Sequence, residues 1–229
     1  MANANPVKTP MNTNVKLSKP EGPPSDGDMK LPYRELIGAL TYLVLATRPD
    51  ISYSVSRLGQ FNNCYTKEHW VAAKRVLRYL KGTADVGITY VSDKKPLVGY
   101  VEADWAGNTD GRRSCTGFIF MYSGGPISWD SKKQRTVALS STEAEFMSMT
   151  EAVKESIYLQ RIFGEVGCEV SEPITLFNDD KGALKLAENP VTHNRTKHID
   201  LRYCFIRDPI KDELVEVKHK ETKNMLADL

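Results

Sequence analysis

Four acidic residues stand at the ends of segments patterned as core elements: Glu102 in GYVEADWAG, Glu145 in SSTEAEF, Asp179 in LFNDD and Asp228 in NMLADL. Carboxylates with no thiol or imidazole among them are the donor set that hard cations such as Mg²⁺ prefer. Two such ions held a few ångströms apart can activate a water and stabilise the leaving oxygen of a phosphodiester. Taken singly, each acid has a plainer role open to it. Glu102 and Asp104 could be a polar strand end, Asp179 or Asp180 could cap a helix, and Asp228 is almost the last residue. Their weight lies in being four acids on elements expected to be neighbours.

Glu145 is the most specific of the four. Ser140-Ser141-Thr142-Glu143 fits a capping box, with Ser140 as the cap and Glu143 at the third helical position, so Glu143 has a structural task. Glu145 has none, and it shares a helix face with Met149 and Ala152. An acid aligned with an apolar stripe is costly unless it is paired, ligates a metal or lies at the edge of the core. The histidines point elsewhere: His193 and His198 are five residues apart, with no Cys or Glu to complete a zinc set. Their segment carries Arg195, Lys197, His198 and Arg202 around a helix start, where phosphates could be held. Local pairing of Asp200 with Lys197 or Arg202 is an equal alternative. A second basic set, Lys74, Arg75, Arg78 and Lys81, recurs at helical spacing and could follow a phosphate backbone; a solvated helix face is the simpler account. No phosphate-binding GxxxxGK[ST] loop, GxSxG elbow or dinucleotide fingerprint is present.

The elements that must position these groups are legible from periodicity. Residues 1–30, rich in Pro, Asn, Lys and Gly, read as a flexible arm. Residues 31–96 read as a small helical segment: a helix from 31, a break at Pro49, a second helix from about Asp50, and a third over 67–81 burying Val71, Val76, Leu77 and Leu80. From Pro96 the period changes to two, and residues 97–229 form the second domain. Strands are predicted over 97–103, 116–122, 127–130 and 136–139, with a turn at Gly124-Gly125. A helix over 142–164, a strand over 174–178, a helix over 181–188, a helix over 199–207 stopping at Asp208-Pro209, a strand over 214–219 and a helix begun at Thr222 complete a mixed α/β layer. The 229 residues carry a formal charge of +2. It divides into 14 Lys/Arg against 8 Asp/Glu in 1–96 and 17 against 21 in 97–229, about +6 and −4. A basic part beside an acidic one suits a polyanionic partner, though ordinary charge scatter accounts for it equally well. The four cysteines lack CxxC spacing and read as reduced thiols. No signal peptide is visible, and the longest apolar run, Leu40 to Ala46, is too short to span a bilayer. An intracellular, cytoplasmic setting is expected, with particle-associated or nuclear placement as variants; oligomeric state is not readable.

The strings YRELIGALTYLVLATRPDISYSVSRLGQF, HWVAAKRVLRYLKGT, GYVEADWAG, SKKQRTVALSSTEAEF and RTKHIDLRYCFIRD together closely resemble the C-terminal part of copia-type retrotransposon Pol polyproteins, from about residue 5 to the last. The resemblance implies the end of a reverse transcriptase, with thumb or connection helices, followed by a ribonuclease H-like domain from about residue 97 with a five-stranded mixed sheet and flanking helices. It implies hydrolysis of the RNA strand of RNA–DNA hybrids with two Mg²⁺ ions, Mn²⁺ being the alternative. It maps the family's acids, which would both hold metal and be catalytic, onto Glu102, Glu145, Asp179 and Asp228. Its partners would be the hybrid and the rest of a longer reverse transcriptase. The sequence departs from the family pattern in two places near the site. Glu102 stands where the pattern DADWAG has Asp, and NDDKGA replaces a DNQ-type string, putting Lys181 where it could compete for Asp179. A catalytically impaired fragment that keeps the fold and at most binds nucleic acid is the alternative. An integrase or transposase of related fold fits less well, since those use three acids.

Overall fold

The computed structural model describes residues 3–12, 15, 17–23, 25–92, 95–105, 111–168, 170, 173–188 and 205–227. It divides into two compact units, Met1–Ile88 with Asn108–Arg112, and Thr89–Gly107 with Arg113–Leu229. The division falls a few residues ahead of position 96 because Tyr90 and Val91 already bond to residues 123 and 126 of the second unit. The Val91 N–H donates to the Ser123 carbonyl at 2.7 Å and the Tyr90 hydroxyl to the Pro126 carbonyl at 2.7 Å.

The first unit is helical: α1 (Asp26–Met29), α2 (Tyr33–Ala46), a 3-10 turn Pro49–Ile51 continuing into α3 (Ser52–Gly59), and α4 (Lys67–Gly82). Pro49 opens the turn, where its missing N–H costs nothing. The core joins Tyr33, Ile37 and Leu40 of α2 to Ile51, Val55 and Leu58, and to Ala73 and Val76 of α4. Tyr33 stacks on Tyr65 and donates its hydroxyl to the Leu58 carbonyl at 2.8 Å, so its one polar atom is satisfied inside the core. Val71, expected inside, is exposed, and Ala73 takes the inward position. Thr66 caps α4 in a box completed by the buried His69, whose ring nitrogen stands 3.1 Å from the Thr66 N–H. The stretch expected as a flexible arm lies on this unit: Leu17 is buried, and Ala4, Asn5 and Thr9 accept hydrogen bonds from α4.

The second unit is a five-stranded sheet: β1 (Val98–Asp104), β2 (Cys115–Tyr122), β3 (Gly125–Lys133), β4 (Ile174–Asn178) and β5 (Val215–His219), in the order β3-β2-β1-β4-β5. β1, β2 and β3 pair antiparallel; β4 is parallel to both β1 and β5, so the sheet is mixed. The β2–β3 hairpin turns on Ser123 and Gly124, both at positive φ, one residue earlier than the Gly-Gly reading placed it. Residues 136–139 do not form a strand. β3 is the edge of the sheet, and past Lys133 the chain leaves it to start α5. The alternation there reports one inward side chain, Ala138, set against Ala103, Ala144 and Met147.

α5 (Ser141–Glu165) packs on β1, β2 and β4, and α6 (Lys181–Glu188) on α5 and β5. The core lies between α5 and the sheet, with Val101, Phe118, Phe120, Phe146, Met149, Val153 and Leu176 among its members. Gly99 permits the closeness of β1 to its neighbours: a Cβ there would lie 2.4 Å from Leu176 and 2.9 Å from Phe120. A further helix, α7, runs over 205–211, past Asp208-Pro209. Thr222–Asn224 is a single 3-10 turn rather than the start of a longer helix. Cys64, Cys115 and Cys168 are free thiols. Among the described residues no helix is long and apolar enough to cross a membrane.

Candidate active site

The parallel pairing of β1 with β4 matches Val98 to Thr175, Gly99 to Leu176 and Tyr100 to Phe177. Two steps further along that register, Glu102 comes beside Asp179 at the carboxyl ends of adjacent strands. This is where side chains of an α/β sheet meet ligands. Strand alternation puts both acids on the face that carries Tyr100 and Phe177. The rings of those two lie 5.3 Å apart, with the Lys220 ammonium 5.1 and 4.4 Å from their centres.

Glu145 reaches the same strand ends from α5. Ser140 starts that helix by accepting the Glu143 N–H at 3.1 Å. Glu143 holds the Leu139 N–H at 2.7 Å, one residue earlier than a reciprocal box requires. Glu145 follows in the next half-turn and is only 6% exposed. Its Oε1 accepts the Ala103 N–H at 2.9 Å, and its Oε2 accepts from the Asn178 amide at 2.8 Å. Burial pushes its pKa up to about 7; the Asn178 and Ala103 hydrogen bonds oppose this, and the charges of Asp179 and Asp180 add to it.

Asn178, which the sequence reading did not single out, joins the three segments. Its amide nitrogen donates to Glu145 and, at 2.9 Å, to the Val101 carbonyl, while its amide oxygen accepts the Asp180 N–H at 2.9 Å. The signal was available: Ile174, Leu176 and Asn178 form the buried face of β4, and an amide at the third of these must find partners. The two neighbouring aspartates divide their roles. Asp180 caps α6, taking the Gly182 and Ala183 N–H groups at 2.6 and 3.0 Å and the Thr142 hydroxyl at 3.0 Å. Asp179, released from capping, accepts the Thr222 hydroxyl at 2.7 Å. Among the described residues Lys181 makes no ion pair with Asp179.

Asp228, Arg195, Lys197, His198 and Arg202 lie outside the described residues, as do His193 and Asp200. Of the α4 cations, Arg75, Arg78 and Lys81 bond to residues 4–9, and Lys74 lies 5.7 Å from the centre of the Trp70 ring. Among the described residues no three His, Cys, Asp or Glu side chains stand together as a metal-binding group. Each Glu145 oxygen keeps a lone pair beyond its one hydrogen bond. Burial and the charges of Asp179 and Asp180 raise the pKa of this carboxylate, a cost that a hard divalent ion would relieve.

No protein-family model matches the chain. Across its whole length it is 43% identical to the retrovirus-related Pol polyprotein from transposon TNT 1-94 of Nicotiana tabacum and 44% identical to that from transposon RE2 of Arabidopsis thaliana. The chain belongs to the copia-type retrotransposon Pol polyproteins. It spans 18% and 16% of the length of those two relatives. Among solved structures, a foamy viral protease-reverse transcriptase in complex with RNA/DNA hybrid aligns with a TM-score of 0.50 at 15% identity, over 83% of this chain and 25% of that one. Such a likeness speaks for the fold, and the five-stranded mixed sheet with flanking helices is ribonuclease H-like.

Proposed function

We propose that this chain is the ribonuclease H portion of a copia-type Pol polyprotein and hydrolyses the RNA strand of RNA–DNA hybrids with Mg²⁺ or Mn²⁺. The observation that carries the reading is Glu145. It is a buried carboxylate, fixed by a backbone N–H of β1 and the Asn178 amide, and raised to about 7 beside Asp179 and Asp180. A stability-driven sequence has little reason to build such a group. Glu102, Glu145, Asp179 and Asp228 would hold the ions. When bound, the metal supplies a water of lowered pKa and a Lewis acid for the phosphoryl oxygens. The protein's own part is positioning. Asn178 holds the Glu145 carboxylate in one orientation, Thr222 holds that of Asp179, and Asp180 with Thr142 ties the start of α6 to that of α5.

The test is cleavage of a labelled RNA–DNA hybrid with either ion, beside Asp179→Asn. Cleavage by the unaltered chain that disappears in the variant is the expected result; equal cleavage by both would sink the assignment. Glu102 favours a second reading, a fragment that keeps the fold and binds hybrid without cutting it. The extra methylene displaces its carboxylate by about 1 Å, and misplacement on that scale can cost around 100-fold. A folded chain that binds hybrid, cuts nothing, and gains cleavage on Glu102→Asp would establish that reading. An intracellular setting and a longer reverse transcriptase as partner belong to the same proposal.

A further inference from the structure

We propose that Arg75, Arg78 and Lys81 of α4 form a nucleic-acid backbone-binding row that residues 4–9 occupy as an exchangeable internal ligand. This rests on reading the chain as a hybrid-binding protein, yet it is tested by binding alone. The three cations are spaced i, i+3, i+6, a row about 9 Å long, comparable to two or three phosphates of one strand at about 3.4 Å of axial rise each. Each donates to the segment that crosses them: Lys81 Nζ to the Ala4 carbonyl at 2.9 Å, Arg78 Nε to the Asn5 carbonyl at 2.7 Å, and Arg75 to the Thr9 hydroxyl at 2.8 Å.

The acceptors are the right atoms with the wrong charge. Two carbonyls and a hydroxyl stand where a strand would place phosphate oxygens, and residues 3–12 contain no acid and one lysine. The segment therefore satisfies hydrogen bonds without neutralising the row. It satisfies them incompletely, since Arg75 Nε is buried and finds no acceptor among the described residues. Phosphate oxygens would replace bonds from a cation to a neutral oxygen with bonds from a cation to an anion, which are stronger, and would release counterions. The hold on the segment is local and shallow. Pro6 rests on Gly82, where a Cβ would come 2.9 Å from the Pro6 Cβ and 3.6 Å from the Val7 carbonyl oxygen.

That contact supplies a reversible test. A Pro6→Cys/Gly82→Cys chain places two Cβ atoms 2.9 Å apart, about 0.6 Å inside the lower end of disulfide spacing, a gap that a small outward shift of the exposed segment opens, and it keeps all three cations. Binding of a labelled RNA–DNA hybrid is measured in EDTA across a salt series, oxidised and reduced, with the Pro6→Cys single variant as the control for native thiols. Oxidation is expected to weaken binding at least tenfold and to make the slope of log affinity against log salt shallower by about 2–3, one phosphate contact per cation. Gly82→Val, which expels Pro6 without touching a charge, is expected to bind more tightly than the unaltered chain. Arg75→Gln/Arg78→Gln/Lys81→Gln is expected to show the shallow slope in any state. Equal affinity and slope for the oxidised and reduced forms would overturn the proposal, as would an unchanged slope in the triple variant or no hybrid binding by any form. Hybrid cleavage by a chain that fails these tests would leave the proposed function standing and remove only the internal ligand.

Discussion

Glu145 sits where an apolar residue would be expected, and burial raises its pKa accordingly. Its pKa is about 7 in the folded chain against 4.5 as the ordinary value, so the native state holds a proton that the unfolded state releases. Stability is therefore fully present below about pH 4.5 and falls as pH rises towards 7. The loss is on the order of 3 kcal/mol for a shift of this size. Urea midpoints of the unaltered chain in EDTA should drop between pH 5 and pH 8, and Glu145→Gln should flatten that drop while abolishing cleavage. An undiminished drop in the variant would place the titration on another group. Glu102 supplies the second residue-scale prediction: Glu102→Asp should raise the rate of hybrid cleavage by about 10–100-fold, because it withdraws the carboxylate by the length of one methylene. A lower rate would mean that the remaining ligands have adapted to the longer side chain.

Among the elements, β4 and α5 do most of the positioning, and their interiors show how. Asn178 satisfies a carboxylate oxygen, a carbonyl and an N–H at once. Asn178→Ala would leave all three buried or half-buried groups without that partner, so the chain should lose about 2–4 kcal/mol in urea unfolding and Glu145 should lose its fixed orientation. A loss below about 1 kcal/mol would show that water replaces the amide. In β1 the constraint is space rather than polarity. A Cβ at position 99 would stand 2.4 Å from Leu176, so Gly99→Ala should destabilise by about 1–3 kcal/mol through overpacking. Thermal unfolding measures this, and a neutral result would mean that β1 and β4 can separate without strain.

At the scale of the whole molecule, charge and the proposed metal would act together. An ion held by native carboxylates and not by the unfolded chain raises stability by mass action. Mg²⁺ added to the EDTA-treated chain at pH 8 should therefore raise its unfolding temperature, and Asp179→Asn should remove the response. An equal rise in both would mean the ion binds elsewhere. The chain's charge divides into a basic N-terminal part and an acidic C-terminal one. This accords with the phosphate contacts proposed for the helical unit and the cation contacts proposed for the sheet unit, although the row on α4 already has neutral oxygens against it.

The order of helices and strands was written in the sequence because periods of 3.6 and 2 are local properties. So were the cap at Ser140 and the positions of Glu102, Glu145 and Asp179 at the ends of their elements. Two local errors share one cause. The run 136–139 alternates like a strand but has no neighbour to pair with beyond the sheet edge, and Val71 follows the apolar count of α4 while Ala73 faces the core. Pairing and facing are decided by what lies opposite, which no single segment contains. For the same reason only the tertiary structure could show that Asn178 links Glu145 to β1 and that Asp180 rather than Asp179 caps α6. It alone could show that residues 4–9 lie on the cations of α4. Each of these is a contact between groups about 30 to 80 residues apart or a choice between adjacent identical side chains. Composition and spacing say which groups are present; only the folded chain decides which partner each one meets.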